Sequence, residues 1–366
     1  MKLFIKKFIF LLLFLFIILA SINLLIPITS DFIIYSNKII KKIEREITDK
    51  KSNPSEKINF KNYDWSKKHF EEFIKLKVKY NDYILWRRLA YKGETINISK
   101  DGFRLNNKEK LDVDLNNSKT WFFGGSAMWG SGSKDNYTIP SYYEQISNKS
   151  SINFGETGYT SSQELNLLLK YINLGSPEYI LFYDGVNDIY TKCRKENNYF
   201  SSSIEQRIKK YEYKYFKNWY HFETVDLLKT NKDYFNNFVN YFADNKEFFD
   251  CHNNKKKAKL IVQNLIDNWL AAKNISERKG AKFIAILQPI SFYSNSITEH
   301  LNIDLDVKKQ FDVIYPLIKK EAEKYNLEFY DYTGILDQNE YYFWDFVHLS
   351  PEGNKIIAEK IFNLIK

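Results

Sequence analysis

The chain is poor in the residues that build special structure. Its 366 residues include 2 cysteines, 5 histidines, 7 prolines and 13 glycines. Two cysteines allow one bridge at most. Neither Cys193 nor Cys251 has His or Cys partners at zinc-ligand spacing beyond the adjacent His252, which sets aside a metal site. The pair is either a disulfide in an oxidising compartment or two separate thiols, and spacing leaves both open. No internal repeat or low-complexity tract is present. The net charge of +9 comes from lysines interleaved with Asp and Glu, in a Lys-, Asn-, Ile-, Tyr- and Phe-rich composition like that of an AT-rich genome. With no nucleic-acid-reading motif beside it, that charge reads as solvated surface, and no nucleic-acid partner is expected.

What is present supports a packed protein. Hydrophobic residues make up 44% and aromatics 17%, enough for a large core. From Phe8 to Ser30 no residue is charged, and at about 1.5 Å per residue such a helix crosses a bilayer. Lys2, Lys6 and Lys7 precede it, as expected of a cytoplasmic tip. The run is longer than the roughly 7–15 residues of a signal-peptide core and has no A-x-A-like cleavage site, so a retained anchor is expected. Residues 1–30 are read as tip and transmembrane anchor, with the bulk of the protein extracytoplasmic. Lysines and Arg45 just beyond the span dilute the charge asymmetry behind that orientation.

Residues 31–118 form an extension. Ile40, Ile43 and Ile47 predict a juxtamembrane helix to about Asp49, and residues 50–60 predict a linker. Residues 61–118 mix short helical and strand-like pieces without a readable role. From 119 to 366 the pattern alternates. Apolar runs at 120–123, 151–154, 179–183, 282–287 and 327–331 predict strands. Helical periods near 139–148, 161–173, 257–279, 306–325 and 352–365 separate them. This predicts an α/β fold, a flavodoxin-like three-layer α/β/α arrangement around a mainly parallel five-stranded sheet. Ligands of such sheets bind beyond the strands' carboxyl ends. Residues 190–256 interrupt the alternation as an aromatic-rich helical insertion. Phe235, Phe238 and Phe242 fit a small core of its own, and the surplus aromatics fit a cap or platform for a sugar or lipid.

Four of the 13 glycines fall in "FFGGSAMWGSG", residues 122–132. Gly124 and Gly125 are expected to supply positive φ at a sharp strand-to-helix turn, with Ser126 opening the helix. A phosphate loop is excluded because Ser131 stands where Lys belongs. A dinucleotide fingerprint lacks its third glycine, and the G-x-S-x-G elbow fails at Met128. Ser126 remains a candidate nucleophile, which needs a base and an orienting acid. "FWDFVHLSPEG" offers Asp345 three residues before His348, in a turn before a helix capped by Ser350 with Pro351 at its first position. "NFGETGYTS" offers the backbone N–H of Gly158, and "YDGVNDIY" the side-chain amide of Asn187, for oxyanion charge. All four stretches lie just after predicted strands.

This set resembles the SGNH (GDSL-like) hydrolases, whose four blocks match Ser126 in "GGSA", Gly158 in "GETGYTS", Asn187 in "GVND" and His348 in "DFVH". The resemblance spans about residues 119–366. It implies a catalytic Ser126, His348 and Asp345, and an oxyanion hole of the Ser126 and Gly158 N–H groups with the Asn187 amide. Gly125 departs from the usual Gly-Asp-Ser, and Asp188 is expected to brace its loop. The resemblance implies a serine esterase without cofactor or metal, acting on O-acyl groups, chiefly O-acetyl, of an envelope polysaccharide. O-acyl transfer to a glycan, lysophospholipid or thioester cleavage, and a non-catalytic glycan-binding role are the alternatives.

Overall fold

The computed structural model describes residues 63–202 and 248–366, apart from 108 and 111, together with positions 11, 14 and 21. Apart from those three positions, the expected anchor, juxtamembrane helix and linker lie outside the described residues, as do 203–247 of the insertion. Among the described residues, no helix is long and apolar enough to cross a membrane.

The extension opens with α1 (Ser66–Lys75). Two antiparallel hairpins follow, β1 (Val78–Asn81) with β2 (Leu85–Arg88), then β3 (Tyr91–Lys92) with β4 (Asn97–Ile98). The alternating part begins with β5 (Thr120–Gly124), the one-turn α2 (Ser126–Trp129), α3 (Ile139–Ser147) and β6 (Ser151–Asn153). It continues through α4 (Ser161–Tyr171), β7 (Tyr179–Asp184) and α5 (Val186–Lys192). After the insertion come α6 (Lys255–Arg278), β8 (Lys282–Leu287), α7 (Leu305–Ala322), β9 (Phe329–Asp331) and α8 (Pro351–Leu364). Each predicted strand and helix of this part is present within a few residues of its expected bounds.

β6-β5-β7-β8-β9 form one sheet in which every pair is parallel. All of β5 is buried, as are the last five residues of β7 and of β8. Their unbroken apolar runs follow from cover on both faces. α3 packs on α8, while α4 packs on α6, which meets α7. The result is the expected three-layer α/β/α arrangement. Local chemistry sets the helix starts. Thr160 and Gln163 form a capping box for α4, and Ser350 caps α8 with Pro351 in its first turn. The order in which strands are added reverses between β5 and β7, since β6 lies on one side of β5 and β7 to β9 follow on the other, and this is the switch point where such folds open a crevice. Ser126 follows one of these strands and Asn187 the other.

Residues 63–107 belong to the same compact unit as the sheet. Arg104 pairs with Asn153 beside β6 through an isolated bridge, and Gln163 Nε2 donates to the Ile84 carbonyl at 3.0 Å.

Cys193 and Cys251 are bonded to each other, both fully buried. The bridge joins the residue after α5 to the chain before α6 and ties the base of the insertion. The Arg194↔Phe249 backbone pair lies beside it. The cysteines are 58 residues apart, so the bridge removes much unfolded-chain freedom. Replacing both with alanine is expected to lower the unfolding free energy by about 2–4 kcal/mol in urea titration. Reductant should lower the wild type by a similar amount and leave the variant unchanged.

Candidate active site

β5 ends at Gly124, and one residue later the chain turns into α2 with Ser126 first. At that position a backbone N–H has no acceptor within its own helix. Neither Gly124 nor Gly125 adopts the positive φ expected of it. Gly125 has φ −77°, and the positive-φ glycines of the site-bearing loops are Gly130 (+88°), Gly132 (+82°), Gly158 (+75°) and Gly185 (+116°). Closeness, not backbone handedness, demands the two glycines. A Cβ on Gly124 would sit 2.7 Å from Met128 Cβ, and one on Gly125 would sit 2.1 Å from Asn187 Nδ2. Any side chain at position 125 would therefore require the Asn187 amide to shift. Gly130 does need its conformation, since it closes α2 by donating to the Ser126 and Ala127 carbonyls.

His348 reaches this turn from the other end of the chain. Its Nε2 lies 2.7 Å from Ser126 Oγ and its Nδ1 lies 2.7 Å from Asp345 Oδ2. The other oxygen of Asp345 accepts the backbone N–H groups of Val347 at 2.9 Å and His348 at 2.8 Å. The three-residue spacing thus folds into a tight turn in which one carboxylate holds both ring and backbone.

Burial works against ionising Asp345, but the His348 ring and these N–H donors outweigh it and hold the carboxyl at about 2. Burial would push the His348 imidazole down. The charge and hydrogen bond of Asp345 win, and its pKa lies above the ordinary 6.5. Such a ring is a stronger base for the serine proton.

Asn187 sits in the first turn of α5, after Gly185. Its Nδ2 donates to the Tyr159 carbonyl at 2.8 Å, tying the amide to the loop that contains Gly158. Ser126, Gly158, Asn187 and His348 are each partly exposed among buried neighbours, so substrate has access to them. Asp188 braces the loop as expected. Its oxygens accept Ser161 N at 2.9 Å and Ser161 Oγ at 2.8 Å, and Lys192 Nζ at 2.5 Å. The structure therefore gathers Ser126, Asp345, His348, Asn187 and the Gly158 loop at the sheet's switch point.

The family model of the GDSL-like lipases and acylhydrolases matches residues 118–361. The chain belongs to this family. GDSL-like lipases and acylhydrolases are ester-cleaving serine hydrolases, and the fold and the serine–histidine–aspartate line agree with that class. Among curated proteins none matches the sequence. Solved structures similar to it include a carbohydrate acetylesterase family member from Sinorhizobium meliloti, 14% identical over 68% of this chain and 97% of that one, TM-score 0.38. A catalytic mutant of an acetylxylan esterase from Geobacillus stearothermophilus is also 14% identical, over 69% of this chain and 96% of that one, TM-score 0.37.

Two residues beneath this GDSL-like site escaped the sequence reading. Asp184 ends β7, and its Oδ2 accepts Trp269 Nε1 at 2.7 Å. Buried Glu164 on α4 has no hydrogen-bond partner on either carboxyl oxygen among the described residues, and the charge of Asp184 acts on it. Burial, then the charge of Asp188, raises the Asp184 carboxyl to about 7. Burial, then the charge of Asp184, likewise raises Glu164 well above its usual range. Nothing in the spacing of 164 and 184 signals the pair, because helix α4 and strand β7 meet only through packing.

The close approach at Gly125 gives a direct test. Gly125→Ala is expected to fold with a modestly lowered melting temperature, because the displaced atom is a side-chain end that gives up its hydrogen bond to the Tyr159 carbonyl. Turnover should drop about 10²–10³-fold, the cost of losing one oxyanion donor. Circular dichroism melts and steady-state rates on an aryl ester measure the two parts.

Proposed function

We propose that this chain is a membrane-anchored serine esterase that removes O-acyl groups, chiefly O-acetyl, from a cell-envelope carbohydrate outside the cytoplasmic membrane. The hydrogen-bonded line Asp345–His348–Ser126 carries the ester chemistry. Ser126 Oγ attacks the ester carbonyl carbon while His348 Nε2 takes its proton. The oxyanion meets the N–H groups of Ser126 and Gly158 and the Asn187 amide. Collapse breaks the bond to the sugar oxygen, which leaves with the proton held on His348, and an acyl-serine remains. Water, deprotonated by the same imidazole, attacks that carbonyl. The second collapse releases the carboxylic acid and returns the proton to Ser126.

Three features support the wider reading. The uncharged run at 8–30 follows three lysines, which fits an anchor with a cytoplasmic tip. The Cys193–Cys251 bridge fits an oxidising compartment beyond that membrane. The insertion is rich in Tyr and Phe, side chains that stack on sugar rings.

Fluorophosphonate labelling and aryl-acetate hydrolysis are expected in the wild type, and Ser126→Ala should abolish both. A folded wild type that neither labels nor turns over sinks the esterase reading. Acetate release from acetylated envelope glycan, with and without a free glycan acceptor, tests the substrate. Acyl transfer to the acceptor in place of acetate release would overturn hydrolysis as the main reaction.

The imidazole must be neutral to accept the serine proton. kcat/KM should therefore rise with pH through a value above 6.5 and then level off. Asp345→Asn removes the charge that raises the imidazole, so it should move this acid limb downward and cut kcat by about 10³–10⁴-fold. A pH–rate profile for each protein measures both effects.

A further inference from the structure

Trp129, the last residue of the one-turn helix that begins with Ser126, is fully buried. Its indole lies in a separate small core with Ile96 and Ile98, flanked by Phe73, Leu76 and Tyr91. Every one of those partners comes from the N-terminal extension. Two guanidinium groups lie over the indole, Arg88 with Cζ 4.2 Å and Arg104 with Cζ 4.3 Å from the ring centroid. Arg104 Nη1 also donates to the last carbonyls of the turn, Trp129 at 3.2 Å and Gly130 at 2.6 Å, while its Nε donates to Asp135 at 3.1 Å.

Arg88 extends from β2 in the opposite sense. Its Nε donates to Glu156 Oε1 and its Nη2 to Thr157 Oγ1, each at 3.0 Å. The same Glu156 oxygen accepts Thr157 N at 2.8 Å, and Glu156 N donates to the Gly124 carbonyl at 3.1 Å. Glu156 and Thr157 immediately precede Gly158. One buried side chain therefore touches both the helix carrying Ser126 and the loop carrying Gly158.

Desolvating an Arg–Glu pair is costly, and buried pairs seldom stabilise a fold better than apolar side chains would. What the pair does provide is fixed geometry, because a guanidinium presents two donors in one rigid plane. We infer that Arg88 is a positioning residue for the ester-cleaving site, setting the Gly158 loop at its working distance from Ser126. The inference rests on the serine-esterase reading and extends it to the extension, a segment outside the family match.

The test uses the full chain in detergent. It compares wild type, Arg88→Met and Arg88→Lys by steady-state kinetics on an aryl acetate and by hydrogen exchange. Arg88→Met is expected to lower kcat about 10- to 100-fold, the cost of a small misplacement at the reacting centre. KM should stay within about twofold, since no substrate contact is removed. The acid limb of the pH profile should not move, because the His348–Asp345 pair is untouched. Exchange at residues 156–160 should speed up while the sheet strands keep their protection. Arg88→Lys keeps the charge without the fork, and should recover less than half of the lost kcat.

A folded Arg88→Met with wild-type kcat and wild-type exchange at 156–160 overturns the inference. Should Arg88→Met fail to fold, Thr157→Val removes one of the two contacts from a partly exposed position. It is then expected to lower kcat several-fold with faster local exchange, and wild-type values for both overturn the inference. A wild type without turnover defeats the esterase reading separately, and the exchange difference alone then decides the positioning role.

Discussion

The hydrogen bond between His348 and Ser126 joins residues 222 positions apart, and its geometry depends on how α8 is seated. Asn354, buried in the first turn of α8, donates to Ser133 Oγ and to the Tyr137 carbonyl, each at 3.0 Å. Both acceptors lie in the loop that leaves the Ser126 helix. Ser350 caps α8 by accepting from Gly353 at 3.2 Å, so the helix start is fixed two residues after His348. The imidazole is thereby referenced to the segment holding its serine. A serine–histidine distance of 2.7 Å follows from contacts between buried groups, with no need for long-range flexibility to bring it about.

Around that contact the charges fall into two groups with different tasks. Asp345 is ionised, and its charge raises the basicity of the neighbouring ring. Glu164 and Asp184 lie buried in the core, where desolvation raises both carboxyls, and Trp269 holds Asp184 at the end of β7. Asp188 sits between the groups and pairs with Lys192, holding α4 and α5 together at the point where the Asn187 turn begins. Carboxyl groups of one chemical kind are thus shifted in opposite directions according to how many donors and charges surround each.

Much of the fold was legible because its determinants are local. Strands covered on both faces read as short apolar runs, as at 120–124 and 282–287, and caps such as Ser350-Pro351 mark helix starts directly. The candidate site was legible through four short stretches whose chemistry must stand beside strand ends. Other features were not legible. Gly125 looked like a residue chosen for backbone freedom, but its role is to leave room for the Asn187 amide, a neighbour from another strand. Residues 61–118 showed no role because their partners, Trp129, Glu156 and Thr157, belong to distant stretches. Whether Cys193 and Cys251 pair is likewise a matter of where α5 and α6 end in space.

By itself the sequence determined the order of strands and helices, the sheet's parallel character and the residue types from which a serine–histidine–aspartate line is built. These depend on periodicity, capping and turn chemistry, which act over a few residues. Only the tertiary structure decided which carboxylate meets which ring, why Gly125 must be small, and that the extension packs its core around the Ser126 helix. Those outcomes depend on distances between segments tens to hundreds of residues apart, and such distances are set by packing the whole domain at once.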